Sequence, residues 1–207
     1  MLRSGAGFDY RDVHRKTVTP RAWLRIWAAQ YPGKKYDLEH DRLIALTQKE
    51  PADFERIGRR KDAASSAAKW KANVASVAYV VWMEAASERP KCPTDDMIGD
   101  FLLDWSSRAY EDKFCTRTVT KRFGLSRATT LLYFLSNGRF PIFDSRVRRA
   151  IARLTSRPVS NTVQGYADSY LPLFAQIAAS CDAQDLRTVD QALFSYGGKE
   201  APTSRTR

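Results

Sequence analysis

The chain has 207 residues and a formal net charge of +11, from 34 Lys and Arg against 23 Asp and Glu. A hydrophobic fraction of 43% is ordinary for a globular core and excludes wholesale disorder. The longest apolar stretch, Val74 to Ala86, is broken by Ser76 and Glu84, which excludes a membrane span within it.

In chain order, the segment Met1 to Arg25 is polar and lacks the apolar core of a signal peptide, so we expect a cytoplasmic protein, nucleoid-associated if bacterial. Pro20 opens a helix with Trp23, Ile26 and Trp27 on one face, ending near Pro32-Gly33. Leu38 to Gln48 and the segment after Pro51 read as further helices. Ala63 to Ala86 reads as a long, Ala-rich central helix stopped by Pro90 and Pro93. Thr94 is a plausible N-cap for Met97, Phe101, Leu102 and Trp105. Helices are expected over Arg127–Leu135, Ser145–Leu154, Val163–Ala179 and Thr188–Tyr196. Strand signals are weak, and Asn137-Gly138 is the nearest approach to a hairpin turn. The fold class expected is all-α, and the tail 199–207 reads as disordered.

Cys92, Cys115 and Cys181 are odd in number and widely spaced, which argues against a disulfide framework, a structural zinc site or an iron–sulfur cluster. The two histidines, His14 and His40, supply neither a triad nor a zinc site well. We therefore expect no cofactor and no metal.

The charge is not spread evenly. Residues 117–157 hold ten basic side chains and one acid, Asp144, a net +9 in 41 residues. The other 166 residues hold 24 basic and 22 acidic side chains. Nine of the ten bases are Arg, whose planar fork binds phosphate oxygens bidentately. Such a patch is the electrostatic footprint of a nucleic-acid binder. Within it, Gly124-Leu125-Ser126 permits a sharp turn between two helices. The N–H groups of that turn and of the helix that follows would cradle a phosphate, with Lys121, Arg122 and Arg127 alongside. Leu125 would plug the interface between the helices. Asp144 lies 20 residues after Gly124, behind Ile142-Phe143 and before a helix with Val147, Ala150, Ile151 and Leu154 inward. Taken alone, Asp144 reads first as an N-cap.

The run Gly124-Leu-Ser-Arg-Ala-Thr-Thr, then Phe140-Pro-Ile-Phe-Asp144, then Ser145-Arg-Val-Arg-Arg149 resembles the core signature of the helix-hairpin-helix DNA glycosylases. Gly124 falls on the first hairpin glycine, Asp144 on the family's invariant aspartate, Val147 and Arg149 on the residues after it. Val189-Asp-Gln-Ala-Leu-Phe-Ser-Tyr-Gly197 is similar to the closing helix of such enzymes. Ser126 replaces the second hairpin glycine, and Ala128 stands where bifunctional members keep a Schiff-base lysine.

The resemblance implies a two-lobed helical fold with the active-site cleft between the lobes. One lobe would comprise 1–48 with 145–198, the other 49–144 with the hairpin at about 117–136. It implies a monofunctional DNA glycosylase without cofactor, acting as a monomer on double-stranded DNA that contains a modified base, with no membrane partner. Asp144 would stabilise an oxocarbenium-like sugar and activate water. Lys121, Arg122, Gly124, Leu125, Ser126, Arg127, Arg146 and Arg149 would bind DNA. Lys69, Trp70 and Trp27 are candidates for the pocket that takes the flipped base, although core packing is the commoner fate of such aromatics. Base-excision repair and defence against phage with modified bases both remain open. A non-catalytic helix-hairpin-helix DNA-binding module and an RNA-binding helical protein are the competing readings.

Overall fold

Helix α1 starts where the sequence punctuates it. Thr19 is extended, its hydroxyl accepts the Ala22 N–H at 3.3 Å, and Pro20 occupies the first helical position. The helix runs Pro20–Ala29. In this computed structural model residues 7–32, 40–41, 91–112 and 119–198 are described, with the backbone alone at 110–112 and 119–121. The expected helices over 38–48 and 63–86, and that after Pro51, lie outside the described residues in whole or nearly so, as does the tail 199–207.

The described residues are mostly helical. A 3-10 turn at Asp95–Met97 leads into α2, Ile98–Ser107. Helices α3, Leu125–Leu135, and α4, Ser145–Thr155, follow. A π-helical turn, Gly165–Tyr170, runs directly into α5, Leu171–Ser180. Helix α6 spans Leu186–Gly198. This agrees with the all-α expectation, to which the described residues add one short ribbon. Strands β1, Ala109–Asp112, and β2, Val119–Arg122, pair antiparallel with Ala109 opposite Arg122. Asn137-Gly138 forms no hairpin. It closes α3, with the Gly138 N–H on the Tyr133 carbonyl at 2.7 Å and both residues at positive φ.

The chain divides into two compact units, residues 1–32 with 141–207 and residues 33–140. The sequence reading places these boundaries at 48/49 and 144/145. In the first unit α1, α4 and α6 enclose an aromatic core. Trp23 and Trp27 meet Tyr196 nearly edge-on at 5.6 and 5.1 Å, and Tyr10 packs on Trp23 at 5.4 Å. Large side chains of this kind each contribute about 1.5–3 kcal/mol by leaving water. The Asp9 N–H donates to the Leu154 carbonyl at 2.9 Å and ties the N-terminal segment to the end of α4. Helices α4 and α6 cross so closely that a Cβ built on Gly197 would lie 1.7 Å from the Arg146 carbonyl oxygen. Glycine is required there for space.

In the second unit α2 packs against α3, and Trp105 meets Phe123 at 5.5 Å. His40 is buried, with Nε2 and the Tyr133 hydroxyl 2.8 Å apart. Among the described residues no helix is long and apolar enough to cross a membrane.

Candidate active site

The segment that delivers Asp144 has no regular structure, yet it is buried. Ile142 and Phe143 are packed away from water, and the carbonyls of this stretch therefore need partners inside the protein. Two tyrosines supply them. The Tyr166 hydroxyl donates to the Pro141 carbonyl at 3.0 Å, and the Tyr170 hydroxyl donates to the Ile142 carbonyl at 3.2 Å. Both rings also stack about Phe143, at 5.5 and 4.8 Å.

Asp144 follows as the N-cap of α4 and is half-buried. Its backbone is extended, at φ −108° and ψ 177°. Oδ1 accepts the N–H groups of Arg146 at 2.8 Å and Val147 at 2.9 Å; Oδ2 takes neither. Behind it Val147, Ala150, Ile151 and Leu154 are all buried, as their spacing predicts. The carboxylate thus stands on a rigid helix start.

Two tyrosine hydroxyls lie in a setting that holds them protonated. Burial pushes both Tyr166 and Tyr170 far above the ordinary phenol range, and the charge of Asp190 on α6 pushes the same way. Asp144 adds to the effect at Tyr170. Asp190 falls inside the closing motif of the sequence, but no role followed from its position there. Tyr166 and Tyr170 carried no sequence signal beyond apolar spacing.

The arginines of α4 are largely turned to structural tasks. Arg149 Nε donates to the Gly197 carbonyl at 3.0 Å, and an Arg153 terminal nitrogen donates to the Tyr196 carbonyl at 2.5 Å. The Arg146 guanidinium lies 4.5 Å from the Phe194 ring centre. These three side chains, at i, i+3 and i+7, bring positive charge to the negative end of α6. Arg149, expected on the DNA, therefore anchors α6. Arg148 lies 5.9 Å from the Phe143 ring, and its Nε is buried with no hydrogen-bond partner.

In the second unit the turn at Gly124 departs from the expected helix–turn–helix. Strand β2 precedes it in place of a helix. The Phe123 N–H donates to the Arg108 carbonyl at 2.8 Å and the Gly124 N–H to the Ser106 carbonyl at 3.0 Å. The ribbon is thus inserted between the end of α2 and the start of α3. Lys121 lies in β2, and Arg122 ends it, exposed. Gly124 is the N-cap of α3 at φ 77° and ψ 158°, a region essentially reserved for glycine, and it has no side chain with which to cap the helix. Leu125 is buried and Ser126 is exposed in the first turn. Arg127 differs from expectation, because one terminal nitrogen donates to the Arg122 and Phe123 carbonyls at 2.8 and 2.6 Å. It clamps the turn from within. Arg139, another base of the patch, pairs with Asp95 at 3.0 Å.

Of the expected base-pocket residues, Lys69 and Trp70 lie outside the described residues. Trp27 is 3% exposed, and its indole N–H donates to the Arg11 carbonyl at 2.8 Å. It belongs to the core, since a ring held there has no face left for a base. Among the described residues no group of three or more His, Cys, Asp or Glu side chains is placed to hold a metal ion. Comparison of the chain with protein-family models, curated proteins and solved structures finds no match in any of the three.

Proposed function

We propose that the protein is a monofunctional DNA glycosylase of the helix-hairpin-helix type, with Asp144 as its catalytic carboxylate. The observation that carries this reading is the state of Asp144. One oxygen is fixed by two backbone N–H groups, and the carboxylate is only half-buried. It is held rigidly and keeps an oxygen for work. The N-terminus of α3 supports the same reading, because its N-cap Gly124 brings no side chain to the first-turn N–H groups and the helix dipole favours a phosphate there. Arg122 adds an exposed positive charge next to it.

In the proposed reaction a modified base leaves the stack and its nucleotide enters the site. The C1′–N bond breaks, and its electron pair departs on the base, which takes up a proton from solvent. The sugar becomes oxocarbenium-like, and the Asp144 carboxylate stabilises that positive charge. Water then bonds through oxygen to C1′, and its proton passes to Asp144 and on to solvent. Ala128 is fully buried and has no amine, which fits hydrolysis by water rather than through a Schiff base. The two-lobed glycosylase fold, with the ribbon as an insertion in its hairpin, belongs to this proposal. So does double-stranded DNA as the partner.

A non-catalytic DNA-binding module is favoured by one observation, that the Oδ1 bonds of Asp144 are those any N-cap aspartate makes. Incubation of the protein with duplexes carrying varied modified bases, followed by mass spectrometry of small products, separates the two. A released free base supports the glycosylase and names its substrate. Binding of every duplex with no base released from any of them supports the module.

A further inference from the structure

We propose that Tyr166 and Tyr170 form a clamp that sets the position of Asp144, and that the π-helical turn exists to bring their two hydroxyls to consecutive carbonyls. This inference rests on the reading of Asp144 as the reactive carboxylate, and it makes the two tyrosines positioning residues. The carbonyls of Pro141 and Ile142 are neighbours in a buried segment without regular structure, three and two residues before Asp144. Both are held by phenol hydroxyls from one helical segment, at 3.0 and 3.2 Å. Neither tyrosine is exposed at all, so neither hydroxyl is exchanged for water.

The π winding has local causes. Pro172 occupies the second position of α5 and has no N–H to donate. In α-helical winding its ring would meet the Asp168 carbonyl, four residues back. The wider turn avoids this, and the Leu171 N–H reaches the Tyr166 carbonyl, five residues back. At the other end the Gly165 N–H donates to the Thr162 hydroxyl at 3.0 Å. A Cβ on Gly165 would lie 2.3 Å from the Ser160 carbonyl oxygen, so the turn is seated tightly on the loop before it. Glycine at one end and proline at the other fix the rotation of the segment, and hence where the two hydroxyls arrive. Their contact with Asp144 is indirect, through the peptide units that carry it.

The test uses the whole protein and the Tyr166→Phe, Tyr170→Phe and double variants, which keep the rings packed on Phe143 and remove only the hydroxyls. The first readout is amide hydrogen exchange at Arg146 and Val147, whose N–H groups report directly on the Asp144 carboxylate. The second is single-turnover base release, with the DNA dissociation constant measured separately. The clamp predicts faster exchange at those two amides in the double variant, with Ala150 and Ile151 unchanged. It also predicts base release slowed by about 10²-fold, the scale of a 1 Å misplacement, at unchanged DNA affinity. Unchanged exchange at Arg146 and Val147 overturns the clamp, whatever the activity. Equal acceleration along all of α4 overturns it too, because the tyrosines then serve stability alone. If the two amides respond as predicted while the wild type releases no base from any duplex, the clamp stands and the glycosylase reading is what fails.

Discussion

Helix α3 begins after a glycine, and helix α4 begins after an aspartate. Each start leaves backbone N–H groups that need an acceptor. At α3 the residue before the helix has no side chain, so the N-cap position itself offers the N–H groups no acceptor. At α4 the carboxylate of Asp144 accepts two of the N–H groups itself. The first start suits an anion from outside, such as a backbone phosphate. The second already holds its anion, and in the proposed reaction directs it at a sugar that becomes cationic. One element of secondary structure thus serves two purposes, and the residue at the cap decides which.

A glycine supports each start for a different reason, and the pair offers ways to test the contrast. The largest effect on stability is expected from Gly197→Ala. The added methyl would meet the Arg146 backbone, so α6 must move off α4 and the brace behind Asp144 loosens. We expect a loss of about 3 kcal/mol, read as a lower urea midpoint. A midpoint equal to the wild type would mean that the close crossing does not brace α4. Gly124→Ala should cost somewhat less, about 1–3 kcal/mol, since its Cβ would meet nothing within 4 Å and only the backbone conformation is strained. Its distinctive effect is on binding. The log–log salt dependence of DNA affinity should become shallower by about one unit, reflecting one lost phosphate contact. An unchanged slope would remove the phosphate from α3.

The smallest effect is gradual and concerns the unit that carries Asp144. Burial raises Tyr10, Tyr166, Tyr170 and Tyr196 above the ordinary phenol value of 10.0. A raised folded-state value means that the stabilisation is complete below pH 10 and is lost as pH rises beyond it. Urea midpoints should therefore fall above about pH 10. A midpoint that holds its value well past pH 10 would place these hydroxyls in water.

The helices near Asp144 were legible because their punctuation is local. Pro20 at the start of α1, the N-cap Asp144 and the inward set Val147, Ala150, Ile151 and Leu154 all lie where pattern and capping predict. The ribbon was not legible. Ala-Tyr-Glu-Asp and Val-Thr-Lys-Arg are four residues each, charged and without a turn signal, and they form by pairing with each other across the intervening chain. The arginines misled in another way. Their density from 117 to 157 suggested one phosphate-binding face, but Arg149 and Arg153 hold the end of α6 and Arg127 holds the Gly124 turn. Composition counts charge without showing which carbonyls already use it. The tyrosine clamp was hidden for the same reason, because a hydroxyl reaching a carbonyl 25 or 28 residues away leaves no periodic trace.

The central claim is that Asp144 does chemistry as well as capping. Asn caps a helix about as well as Asp, so Asp144→Asn removes the charge and keeps the fold. The measurement is single-turnover base release from a duplex that the wild type cleaves, alongside DNA affinity and thermal stability. The account predicts release slowed by about 10³-fold or more, with affinity and stability retained. Release at the wild-type rate, with fold and binding intact, would contradict it and leave Asp144 as a cap alone.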